Sequence, residues 1–193
     1  MPAVLRESLL FPYISGTSFV QGIQAQGGWD AVNDALGKPP SSTEQILHPE
    51  KYEAGEAPKL VDLPDDLAAR LGAGWSVGLE DTLGELQLKL WLANGPNRAA
   101  SPQDMSTTAA AGWGGDRVAI LSGPSGATAV VIDTAWDSPA DAAEFATQAR
   151  LLVDALPDPG DVLATVGGDR VTVVIASSEN LVGRVENVLG LAG

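Results

Sequence analysis

The chain has no cysteine and a single histidine, His48, among its 193 residues. Disulfides, thiolate nucleophiles and cysteine-held metals are thereby excluded, as is any zinc site built on two imidazoles. Basic side chains are also few: 11 Lys and Arg face 25 Asp and Glu, a formal charge of −14. Such a surplus repels phosphate backbones and anionic membrane surfaces, so nucleic acid is a poor partner and solubility is the simplest role of the charge. No apolar run approaches the roughly 20 residues that span a bilayer, and Met1 to Glu7 lacks the basic stretch and apolar core of a secretory leader.

What is present is ordinary for a folded protein: 45% hydrophobic and 19% charged residues, in a chain long enough to bury a substantial core. The first part reads as short helices. Pro12 interrupts the opening apolar stretch, Phe19, Val20 and Ile23 follow at helical spacing, and Gly27-Gly28 ends that helix. Trp29 to Leu36 forms another, with Trp29, Val32, Ala35 and Leu36 on one stripe. Pro39-Pro40 forces an extended approach to a capping box of Ser41 and Glu44, whose helix Pro49 ends.

Gly55, Pro58 and Pro64 mark a loop, the expected linker, in which Lys59 to Leu63 reads as a short edge strand. From Trp75 to Leu92, alternating leucines suggest a strand. The glycines at 78 and 84 and the Leu, Glu, Gln and Lys content favour a helix instead. Ser101-Pro102, with Asp104 at the third helical position, opens a helix that runs to Gly112.

The last eighty or so residues contain an echo. Gly114-Gly115-Asp116-Arg117-Val118 recurs 53 positions later as Gly167-Gly168-Asp169-Arg170-Val171. Strands near 117–121 and 128–135 precede a helix opened by Ser138-Pro139, and strands near 162–166 and 170–177 precede a helix from about Ser178 to Leu189. Two ββα units predict a four-stranded antiparallel sheet with both helices on one face, buried through Phe145, Ala149, Leu152 and Leu156 and through Leu181, Val185, Val188 and Leu189. The fold class is α+β, in three parts: a helical segment over 1–56, linker and helices over 57–112, and the ββα-ββα domain over 113–193.

Few residues suggest chemistry. His48 reads first as a group at the C-terminal end of its helix, where a donor to the last carbonyls is favoured. Glu44 and His48 share a helix face, yet two ligands are too few for a metal. The acids Asp62, Asp65 and Asp66, and Asp154, Asp158 and Asp161, lack the alternating spacing of a calcium loop. Neither glycine-rich stretch matches a phosphate loop. Asp116 and Arg117 are placed to pair with Asp169 and Arg170 across the sheet end, at a worth of about 0–1 kcal/mol. Of five tryptophans, Trp75 and Trp113 are the candidates for lining a binding groove.

The run Phe11-Pro12-Tyr13-Ile14-Ser15-Gly16, then Gly27-Gly28-Trp29-Asp30 and the stretch from Pro39-Pro40-Ser41-Ser42 to His48-Pro49-Glu50-Lys51-Tyr52, resembles the downstream half of a family of bacterial, exported and uncharacterised zinc metallopeptidases of the gluzincin type. Gly112-Trp113-Gly114-Gly115-Asp116-Arg117 and Trp136-Asp137-Ser138 extend the resemblance. In that family a helical domain bearing His-Glu-x-x-His comes first, and no such motif occurs in this sequence.

The resemblance implies a non-catalytic C-terminal region, structural or binding a partner or substrate, located outside the cell or in its envelope. A leader and a peptidase domain would lie upstream, and the region would have no cofactor of its own. It also marks His48, Tyr13 and Tyr52 as residues able to contact an oxyanion or a substrate in a full-length relative. The competing reading is a stand-alone ligand-binding or assembly module whose interface Trp75 and Trp113 line. The oligomeric state stays open at this level.

Overall fold

The structure, a computed structural model, describes residues 1–96, 103–165 and 167–191. It is an α+β fold in which a long N-terminal helix precedes an antiparallel sheet. Helix α1 spans Ala3–Gly37 and contains Pro12. At Gly28, φ 68° and ψ −160° bend the helix sharply, a conformation open to glycine. The two short helices expected here are therefore two arms of one kinked element.

Helix α2 (Thr43–Leu47) begins one residue later than expected. Ser42 is its N-cap, with Oγ accepting from Gln45 N at 3.3 Å, while Gln45 Oε1 accepts from Ser41 N at 2.7 Å. Gln45 thus takes the reciprocal role assigned to Glu44, which frees the Glu44 carboxylate for another partner. Pro49 does end α2, and it also opens α3 (Pro49–Glu53) as a first-turn proline. Residues 59–63 form no strand; Lys59 ties them to the sheet, its N donating to Gly114 O at 2.6 Å and its Nζ to Trp136 O.

Helix α4 spans Leu67–Leu71, strand β1 Ser76–Asp81 and helix α5 Gly84–Ala93. The stretch read as one helix from Trp75 is therefore strand, then helix. The switch occurs at Gly84, whose φ of 74° starts α5 and whose absent Cβ would meet Thr43 Oγ1 at 3.0 Å. Helix α6 is Gln103–Ala110, and its predicted start at Ser101-Pro102 lies outside the described residues. Strands β2 (Trp113–Ser122) and β3 (Thr128–Trp136), helix α7 (Pro139–Val153), strands β4 (Gly160–Ala164) and β5 (Arg170–Ala176), and helix α8 (Glu179–Leu189) complete the chain. Ser138 and Ser178 cap α7 and α8 through their hydroxyls.

The sheet has five strands in the order β1-β2-β3-β5-β4, each neighbouring pair antiparallel. Its helices cover both faces, which corrects the one-face expectation. One row crosses the sheet as Val118, Ile132, Val173 and Val162 and meets Phe145, Ala149 and Leu152 of α7, with Leu88 and Leu92 of α5 beside them. The opposite face presents Leu121, Ala129, Val131 and Val174 to Leu181 and Val185 of α8 and to Leu67 and Leu71 of α4. The cause is visible in Val130-Val131-Ile132 and Val173-Val174-Ile175: strands apolar at every position need cover on both sides.

The echo does not mark equivalent places. Gly114 to Val118 lies inside β2, whereas Gly167 to Asp169 forms the turn before β5. Segment 57–112 is more than a tether, since β1 and α5 extend the sheet and its core.

Candidate functional site

Two places on the molecule concentrate unusual chemistry. The first is a charge knot where α2, α3 and α5 meet the corner between β3 and α7. Lys51 on α3 sends its ammonium to Glu44 Oε1 at 2.6 Å, to Glu56 Oε1 at 2.9 Å and to Asp137 Oδ2. Those three carboxylates lie within 4.8 Å of one another, the spacing of a trio that could hold a hard cation. The Lys51 ammonium stands among them, so any metal there must displace it.

Burial pushes the Glu44 carboxyl up to about 7 even though Lys51 opposes the shift, and Asp137 and Glu85 add to it. The Lys51 ammonium, despite its own burial, is held well above the usual lysine range by the hydrogen bonds it donates to Asp137, Glu44 and Glu56. Glu44 therefore holds its proton to a higher pH than an exposed glutamate does.

Beside the knot, His48 Nε2 lies 3.0 Å from Glu85 Oε1, and its Nδ1 lies 3.7 Å from Glu50 Oε1. Glu85 has a side chain only 2% exposed, and its Oε2 is buried without a partner. Burial raises its carboxyl above the usual range, with His48 as the main opposing influence. His48 thus serves a carboxylate on α5 rather than the last carbonyls of α2.

Tyr52 donates to Lys38 O at 2.8 Å and stands edge-on to Phe19, with ring centres 5.1 Å apart. Tyr13 is 76% exposed. His48 and Tyr52 have separate partners, and the three candidates do not form one constellation. Asp116 is a further buried carboxylate that accepts from Leu83 N, Gly84 N and Trp113 Nε1, each at 2.8–2.9 Å, and burial raises it. Its role is to tie α5 to β2.

Trp75 and Trp113 do not share a groove. Trp113 is 1% exposed and belongs to the core on the α7 side, whereas half-buried Trp75 packs on the α8 side with its indole over Gly123. Arg117 pairs with Glu80, Arg170 with Asp133 and Asp169 with Lys59, so the cross-sheet pairs expected between them do not form. Asp66 bonds Arg70 at 2.7 Å, and Asp154, Asp158 and Asp161 border an open acidic hollow of about 660 Å³. Local sequence gave no sign of the knot, because Lys51 and Asp137 are 86 positions apart and His48 and Glu85 are 37 apart.

The second place is the outer surface of α1. Phe19 is its one buried residue, while Leu5, Leu9, Leu10, Tyr13 and Ile14 are each between 44% and 76% exposed. Toward the kink the two arms enclose an apolar socket of about 240 Å³, walled by Gly16, Val20, Ile23, Val32, Leu36 and Pro40 among others. A helix apolar on all sides is ordinarily covered on all sides. Among the described residues no helix is long and apolar enough to cross a membrane.

Residues 70–186 match the family described as "Domain of unknown function (DUF8575)", more than half of the chain, and the protein belongs to that family. No curated protein and no solved structure matches the chain.

Proposed function

We propose that this chain is a non-catalytic, partner-binding domain of a secreted zinc metallopeptidase of the kind its sequence resembles, and that α1 is its binding element. The observation that carries the reading is the exposed apolar face of α1, which burial against a partner would stabilise by about 25 cal/mol for each Å² removed from water. In the charge knot the three carboxylates accept hydrogen bonds from the Lys51 ammonium, and His48 pairs with Glu85.

Three measurements test the proposal. Elemental analysis and a casein assay on the purified chain should find neither stoichiometric zinc nor cleavage; finding both overturns it. A His-Glu-x-x-His motif is expected in frame ahead of Met1, and its absence removes the peptidase assignment. A photo-cross-linking amino acid in place of Tyr13 should trap a protein in the native host, and no adduct at all would refute α1 as the binding element. The assembly-module alternative draws on the same helix face, since Trp75 and Trp113 lie in separate cores.

A further inference from the structure

We infer that the partner of α1 is a second copy of this chain, docked antiparallel about a two-fold axis that passes by Gly16. The inference rests on α1 being the binding element and adds the identity of what binds. Leu9, Tyr13, Gly16, Val20, Ile23 and Gly27 follow one another at intervals of 4, 3, 4, 3 and 4 residues, the seam of a helix that pairs with another helix. Most of the seam is open, with Leu9 63% exposed, Tyr13 76% and Val20 43%, while Gly16 and Ile23 are partly covered where they wall the socket. At Gly16 an added Cβ would meet nothing within 4 Å, so a second backbone can approach closely there.

The two halves of the seam complement each other. With the axis at Gly16, Leu9 of one copy lies opposite Ile23 of the other, and Leu5 lies opposite Gly27. The projecting Tyr13 falls beside Val20 of the other copy, at the mouth of the socket enclosed by the two arms. One chain therefore carries both a protruding group and a matching hollow, separated as an isologous contact requires.

Charge selects the same surface. The protein carries −14, yet from Met1 to Trp29 its charged side chains are one cation, Arg6, and one anion, Glu7. Copies meeting through most other surfaces bring acid against acid, whereas this face brings nearly neutral surfaces together. An α1–α1 contact would cover on the order of 600 Å² from each copy, near the lower bound for a specific complex, so the association should be weak and concentration-dependent.

Light scattering on the full chain from about 1 to 200 μM tests this, a range in which a weak dimer becomes populated. The mass should rise with concentration from 19.8 kDa toward twice that value. The double variant Leu9→Glu, Tyr13→Glu should stay at monomer mass throughout, with an unchanged far-ultraviolet circular dichroism spectrum, because both side chains are exposed. The native chain has no cysteine, so Gly16→Cys offers a single thiol. Mild oxidation should give a covalent dimer from Gly16→Cys and none from the exposed control Ala143→Cys.

Monomer mass at every concentration overturns the inference, as does a dimer that survives the double variant. If the native chain is monomeric while the cross-linker at position 13 captures another protein, this inference fails and the reading of α1 as a binding element stands. If neither association nor adduct is seen, both fail.

Discussion

The sheet body and α1 are built from similarly apolar sequence and meet opposite fates. In the body, Trp136 is fully buried, stacks on Phe145 with ring centres 4.5 Å apart, and donates through Nε1 to Thr134 Oγ1 at 2.8 Å. In α1, Trp29 is 68% exposed. The difference lies in the cover available: strands β3 and β5 are sandwiched between helices, while α1 meets α2 and α5 along one side and solvent along the other. Apolar content fixes how much surface seeks burial, and topology decides which surface finds it inside the chain.

The sharpest way to break this contrast is to truncate the body at its most buried ring. Trp136→Ala should cost about 3–5 kcal/mol, read as a fall in the urea midpoint with unchanged slope. A loss no larger than that of a surface substitution would mean that the sheet core is not what holds the fold. Next comes the knot that fastens α2 and α3 to the body. Lys51→Met leaves Glu44 buried beside Asp137 and Glu56 without their cation and should cost about 3 kcal/mol, discounted because Glu56 and Asp137 are partly exposed.

The pH dependence of the knot sharpens the same point. Glu44 in the folded protein binds its proton up to about pH 7, against an ordinary value of 4.5. Between those values the native state holds more protons than the unfolded chain, so the contribution is fully present below 4.5 and is lost as pH rises through about 7. Burial raises Glu85 and Asp116 in the same direction, and Lys51 stays charged throughout the window. Glu44→Gln imitates the protonated acid and should flatten the loss by about 1–3 kcal/mol in urea titrations at pH 4.5 and 8. An identical slope in the variant would reassign the titration elsewhere. The smallest effect belongs to α1: Trp29→Ser should shift stability by no more than about 0.5 kcal/mol, and a larger shift would show that the chain itself covers Trp29.

Much of the body could be read from the chain. Ser138-Pro139 and Ser178 announced their helices because a capping hydroxyl acts within three residues, and the β-branched runs at 128–136 and 170–176 announced their strands for the same local reason. β1 escaped because Gly78 and two adjacent acids obscure a strand whose partner lies some forty positions downstream. The second covered face escaped because an apolar run does not say which helix will lie on which side. At the site, His48 could be singled out as the only imidazole, but its partner could not, since Glu85 reaches it through the packing of α5. The capping box was displaced by one residue, and that shift released Glu44 into the knot.

The placement of β1 has a consequence in time. β2 and β3 are joined by five residues, 123–127, and can zip together locally, whereas 31 residues, 82–112, separate the end of β1 from the start of β2. Its six residues are all exposed, and the ladder it shares with β2 is broken between Val77 and Leu79. β1 is an edge strand held by one irregular ladder, and its amide protons will trade with solvent well ahead of those in the central strands β3 and β5.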